Sequence, residues 1–251
     1  VSLDACAELV QRGDPDRFAT VLAAPVAARA RLLPLYAFNV EVTRAPWLTA
    51  EPMIAEMRLQ WWRDALAEIG QGAAVRRHEV TTPLAGVLDA EGAAILDRLV
   101  AARRWDIYRD PFEDAAHFDA YLDSTAGGLM WTAARALGGT GEGAIRDVGW
   151  AQGLAAFLRA IPELEVRGRR PLVDGRPEAV RALAEEGLRR LRAGLAAGAA
   201  GPATWPAFET AALLRLAVQE PARVAEGGLT LSEFRRRALR LRAALTGRVA
   251  G

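Results

Sequence analysis

Aspartates four residues apart are the first candidates for chemistry in this chain: Asp106 with Asp110, Asp110 with Asp114, and Asp119 with Asp123. On a helix that spacing turns both carboxylates to one face, where they can share a divalent cation. Pro111 follows Asp110, so that stretch reads as a loop and a helix start, where acids favour the helix dipole. Asp119 and Asp123 fall in an early helical turn. The favoured reading of all three pairs is structural. His78 and His117 are the only histidines, both expected at the surface in or near loops. Cys6 is the only cysteine, which excludes an intramolecular disulfide and a thiol–metal cluster. All 32 basic residues are arginine, so no lysine can act as a Schiff-base nucleophile or as the lysine of a Walker motif.

The elements that must position such residues are helical. Half of the residues are apolar, alanine is abundant, and valine, isoleucine and threonine are sparse, a mixture that favours helix over sheet. Periodicity, with proline and glycine as punctuation, predicts helices over Leu3 to Arg12, Asp14 to Ala24, Ala27 to Val42 and Pro52 to Ile69. Further helices are expected over Glu91 to Arg104, Ala115 to Leu137 with an interruption at Gly127-Gly128, and Ala144 to about Ala160. The last are Glu178 to Leu195, Ala207 to Gln219 and Leu231 to Leu245. In the fourth, Ala55 or Met57 with Leu59, Trp62, Leu66 and Ile69 make an apolar stripe. The expected fold is therefore all-α. Gly198 to Pro206 is the best linker candidate and is short, so one domain over residues 1–251 is expected.

A net charge of +1 gives no global pull toward nucleic acid, and no nucleic-acid partner is expected. No run approaches the length of a membrane-spanning helix, and the first residues resemble neither a signal peptide nor a transit segment. The expected location is cytoplasmic, with peripheral contact at the inner membrane. That contact is expected from residues 231–245, where Arg235, Arg236, Arg237, Arg240 and Arg242 alternate with Leu231, Phe234, Leu239, Leu241 and Leu245. A solvated bundle face is the plainer reading of the same pattern. Trp61-Trp62 reads as one core residue beside one half-exposed residue. Arg167-Gly168-Arg169-Arg170 is a basic loop suited to phosphate.

Three stretches carry a resemblance. Asp14-Pro15-Asp16-Arg17-Phe18, Leu33-Pro34-Leu35-Tyr36-Ala37-Phe38 and Arg58-Leu59-Gln60-Trp61-Trp62-Arg63-Asp64-Ala65-Leu66 resemble the squalene/phytoene synthase family. Tyr121, Ala126 and Gly127 match its Tyr-x-x-x-x-Ala-Gly element. The chain looks like a degenerate branch that includes a mitochondrial complex I assembly factor of this fold. The resemblance implies a helical bundle of the isoprenoid (squalene/phytoene) synthase type.

It also implies what the chain should carry and does not. Active members hold Mg²⁺ with two aspartate-rich motifs, so that the charge of a leaving pyrophosphate is neutralised. At the first motif this sequence has Thr43, Arg44 and Trp47; at the second, Arg159 and Glu163 remain while the acidic positions are Ala160 and Leu164. The expectation is a pseudoenzyme with no catalytic residue, no metal ligand and no cofactor, Mg²⁺ belonging only to the alternative of an active prenyl diphosphate transferase. Tyr36, Phe38, Arg44, Tyr121, Gly127 and Arg159 are carried over as a ligand pocket for an isoprenoid or lipid. The implied partner is a protein, an assembly intermediate of a respiratory complex; a lipid-binding peripheral membrane protein is the third reading.

Overall fold

The computed structural model describes residues 3–251, and among these no strand occurs. The chain divides into two compact units, one made of the chain up to Tyr108 together with Trp131–Thr140, the other of Arg109–Met130 and Gly141–Gly251.

The first unit contains α1 (Leu3–Gly13), α2 (Pro15–Ala23), α3 (Val26–Arg44), α4 (Pro52–Gly70), α5 (Thr81–Ala85) and α6 (Ala90–Ala102). Asp14 caps α2: its carboxylate accepts from the Arg17 N–H at 2.9 Å, and Pro15 occupies a first-turn position that needs no N–H. In α3 every residue from Leu32 to Val40 is buried. A helix apolar on all sides sits inside its unit rather than on the surface. Gly13 is what lets α1 approach it, since a Cβ there would lie 2.4 Å from Val40 Cγ1. On α4 the buried stripe is Ala55, Leu59, Trp62, Ala65, Leu66 and Ile69, so Ala55 and not Met57 completes it. The segment after α6 tightens into a 3₁₀ turn at Arg103–Asp106, where Asp106 is buried against Arg103.

The second unit contains α7 (Ala115–Leu122), the first part of α8 (Gly128–Ala136), α9 (Glu142–Val166), α10 (Pro177–Ala196), α11 (Thr210–Gln219), α12 (Ala222–Ala225) and α13 (Glu233–Thr246). Helix α9 runs through Pro162 to Val166, six residues past the expected end. Ile161 and Leu164 are both buried, and that burial offsets the hydrogen bond a proline removes. Between α7 and α8 the chain forms a π-turn at Asp123–Gly127 in place of a simple break. This turn is the C-terminal part of the Tyr-x-x-x-x-Ala-Gly stretch, and its small residues face glycines of α9. A Cβ at Gly149 would sit 2.8 Å from the Ala126 carbonyl, and one at Gly153 would sit 2.4 Å from Ala126 Cβ. Backbone meets backbone there.

Candidate functional site

In the first unit the two N-terminal stretches of the resemblance meet in space. The Arg17 guanidinium, held by Asp14 at 2.7 Å, lies 5.2 Å above the ring of Tyr36. Tyr36 is 2% exposed; burial pushes its phenol up to about 12, against the opposing pull of Arg17. Two residues on, Phe38 is wholly buried and meets Trp62 edge-on at 5.3 Å. Arg44, at the end of α3, is different. Its side chain is 54% exposed and pairs at 3.8 Å with Glu41 of the same helix. Tyr36 and Phe38 are core residues of this unit, whereas Arg44 is a surface residue.

Beside Phe38 an aromatic group continues outward. Trp62 is buried and Trp61 half-buried, with their rings 4.9 Å apart, and His78 lies 5.2 Å from Trp61 and 5.5 Å from Trp62. Arg76 covers the Trp61 ring at 5.1 Å while pairing with Glu68. These rings wall a groove of about 460 Å³ whose rim is Glu41, Leu48, Ile54, Met57 and Arg58. Periodicity gave Ile54 no role and offered Met57 only as an alternative member of the buried stripe. Both are instead apolar residues off that stripe of α4, and both are exposed.

In the second unit Tyr121 is buried in an aromatic cluster, 5.3 Å from Phe112 and 6.1 Å from Phe157, with Phe118 5.0 Å from each of those two rings. Gly127 closes the π-turn, 3.5 Å from the Arg146 carbonyl if given a Cβ. Arg159 donates to Glu209 at 2.6 Å, and Arg236 donates to the other oxygen of the same carboxylate at 2.9 Å. Glu209 had no signal in the sequence, since its partners are 50 and 27 residues away. Four of the five aspartates of the three pairs are engaged with arginines or backbone, Asp106 among them through Arg103, while Asp110 is exposed. Asp114 caps α7, Asp119 accepts from Arg190 at 2.6 Å, and Asp123 accepts from Arg146 at 3.1 Å. His117 lies in the first turn of α7, next to the preceding loop and against Phe112. In the basic loop Arg169 is buried, while Arg167 pairs with Glu163 at 2.5 Å.

The model of the squalene/phytoene synthase family matches residues 10–174, about two thirds of the chain. The chain belongs to the squalene/phytoene synthase family. A complex I assembly factor 6 homolog of Drosophila melanogaster is 30% identical over 171 residues, covering 62% of this chain and 50% of that protein. The human complex I assembly factor 6 is 24% identical over 172 residues, covering 62% of this chain and 48% of that protein. The chain thus spans about half the length of these curated relatives. Among solved structures, a dehydrosqualene synthase in complex with ligand superposes with TM-score 0.71 at 14% identity, covering 97% of this chain and 95% of that one. Squalene synthase HpnC from Alicyclobacillus acidocaldarius gives TM-score 0.62 at 17% identity, covering 99% and 95%. These two show the fold, an all-α bundle of the squalene synthase type.

Membership raises the question of Mg²⁺, and the residues at the motif positions do not fit it. The ion demands oxygen ligands, chiefly carboxylates. Thr43 offers one hydroxyl, which has no hydrogen-bond partner among the described residues. Arg44 brings positive charge, and Trp47, Ala160 and Leu164 bring no side-chain oxygen. The acids remaining beside these positions, Glu41 and Glu163, are paired with Arg44 and Arg167. Among the described residues no group of three His, Cys, Asp or Glu side chains is placed to hold a metal ion.

Proposed function

We propose that this member of the squalene/phytoene synthase family is non-catalytic and serves as an assembly or scaffolding factor for a respiratory complex of the complex I type. One observation carries the reading: the positions at which the family's carboxylates would stand hold Thr43, Arg44, Trp47, Ala160 and Leu164. Diphosphate ionisation without its metal forfeits several kcal/mol of charge stabilisation, and each ~1.4 kcal/mol is tenfold in rate. Arg44, exposed and already paired, does not replace a metal cluster. Relatives named as complex I assembly factors supply the class of partner, a protein assembly intermediate. The reading carries with it a cytoplasmic location at the inner membrane, the setting in which such a complex is put together.

The test is calorimetric titration of the purified protein with a non-hydrolysable farnesyl diphosphate analogue, with and without Mg²⁺. The expected result is no binding, or binding that Mg²⁺ leaves unchanged, the latter identifying a prenyl or lipid chain as a retained ligand. Binding that requires Mg²⁺ overturns the reading in favour of an active prenyl diphosphate transferase.

A further inference from the structure

Helix α13 is built inside out. A stripe of Phe234, Ala238, Leu241 and Leu245 falls within about 60° of one another on a helix that turns about 100° per residue. It should be the buried face, and it is the exposed one: Phe234 is 84% exposed, Leu245 77% and Leu241 59%, with Ala238 exposed between them. The opposite face is the attached one. Ala243 is buried, Arg236 is tied to Glu209, and Arg240 lies 5.8 Å from the ring centre of Phe208.

Nor is this a frayed end whose exposure is incidental. Ser232 caps the first turn, and Gly247 ends the helix in the left-handed region at φ 71°. Beyond it, the Gly247 carbonyl accepts from the Gly201 N–H at 3.0 Å, and Val249 is buried. The helix is fixed at both ends and along its inner face, so its outer stripe is held in place and left exposed by the described residues.

The charges flanking the stripe say what fits it. Arg235 and Arg242 lie along one side and Arg237 along the other, all exposed, and exposed Arg248 follows in the next turn. From residue 227 to 251 there are six arginines and a single acid, Glu233, which accepts from Arg236 and Arg237. A narrow apolar ridge between rows of guanidinium groups suits an interface with apolar depth and negative headgroups. We propose that α13 docks the protein on an anionic lipid surface, lying in the plane of the interface with Phe234, Leu241 and Leu245 among the acyl chains and Arg235, Arg237 and Arg242 at the phosphates. The inference stands on α13 alone and does not depend on the assembly reading.

Co-sedimentation with vesicles of phosphatidylglycerol and phosphatidylcholine, compared with phosphatidylcholine alone, tests it. Binding to the anionic vesicles should exceed binding to the neutral ones by about tenfold or more and should weaken as salt rises from about 0.1 to about 1 M. The double variant Phe234→Glu with Leu241→Glu should lose the binding while keeping the wild-type melting curve, because neither side chain is buried. Arg235→Gln with Arg242→Gln should weaken binding and flatten its salt dependence. Equal binding to both vesicle types, or undiminished binding by the glutamate double variant, overturns the proposal. So does self-association that the glutamate variant abolishes in a protein that ignores vesicles, since the stripe would then be a contact between copies.

Discussion

Helices α3 and α9 each lead into a stretch that, on the reading proposed above, stands where active members of the family carry metal-binding acids, and the residues found there differ in opposite ways. At the end of α3 and in the 3₁₀ turn Ala45–Trp47 that follows it, these residues stay at or near the surface: Arg44 is exposed, and Thr43 and Trp47 are half-buried. In the last third of α9 they turn apolar, and Leu164 has joined the core at 8% exposure, while Arg159 and Glu163 are held in ion pairs. On that reading the same chemical loss has two different structural consequences. Reversing it in α3 disturbs little that the fold relies on. Reversing it in α9 removes a packed side chain and asks a carboxylate to ionise where a leucine now sits.

That asymmetry gives the largest expected effect. Leu164→Asp should cost about 4 kcal/mol of stability, combining lost apolar burial with a desolvated carboxylate. Ala160→Asp, one turn earlier and half-buried, should cost no more than about 1 kcal/mol. Urea denaturation of the two single variants measures both. Equal costs would break the comparison, because Leu164 would then contribute nothing special to packing. The prediction also explains why restoring the acids by mutation is a demanding route back to a metal site.

What the sequence made legible depended on how local the signal was. The Asp14 cap, the Pro15 start and the α4 stripe each sit within one helical turn or one face, and each is in the structure as expected. The extension of α9 past Pro162 was hidden, because it rests on burial of Ile161 and Leu164 and not on propensity. Helices α5 and α12, of five and four residues, are too short for periodicity to register. Among the site residues, family motifs pointed to Tyr36, Phe38 and Tyr121, and in the structure each is packed against other rings or under a cation. Glu209 was invisible, since a carboxylate shared by Arg159 and Arg236 can be found only once the chain is folded.

The buried half of α3 offers a second contrast, with its own exposed end. The Tyr36 phenol is pushed up to about 12 by burial, whereas in the unfolded chain it loses its proton near 10. Above pH 10 the unfolded state therefore releases a proton that the folded state retains, and stability falls as pH rises. Through pH 10 to 12 this group alone should remove about 3 kcal/mol, with no contribution below that window. Tyr36→Phe should flatten the dependence. Denaturant midpoints for both proteins between pH 9 and 12 decide it, and identical slopes would mean that the ring is not sealed from solvent.

The smallest effect is the one that separates an open surface from a disguised site. Arg44→Asp removes an ion pair of 3.8 Å between half-exposed side chains and sets a second acid one turn from Glu41. Exposed pairs of this kind contribute little, and like charges on adjacent turns cost a similar amount, so the change in stability should be about 0.5 kcal/mol or less. Thermal melts at low and high salt measure it, with the small cost shrinking further as salt screens Glu41 from the new carboxylate. A loss above about 1 kcal/mol would show that the guanidinium is holding structure together. The end of α3 would then be tied into the packing as firmly as the end of α9. In that case the contrast between the two helices would fail at the position where the family would have placed a metal ligand.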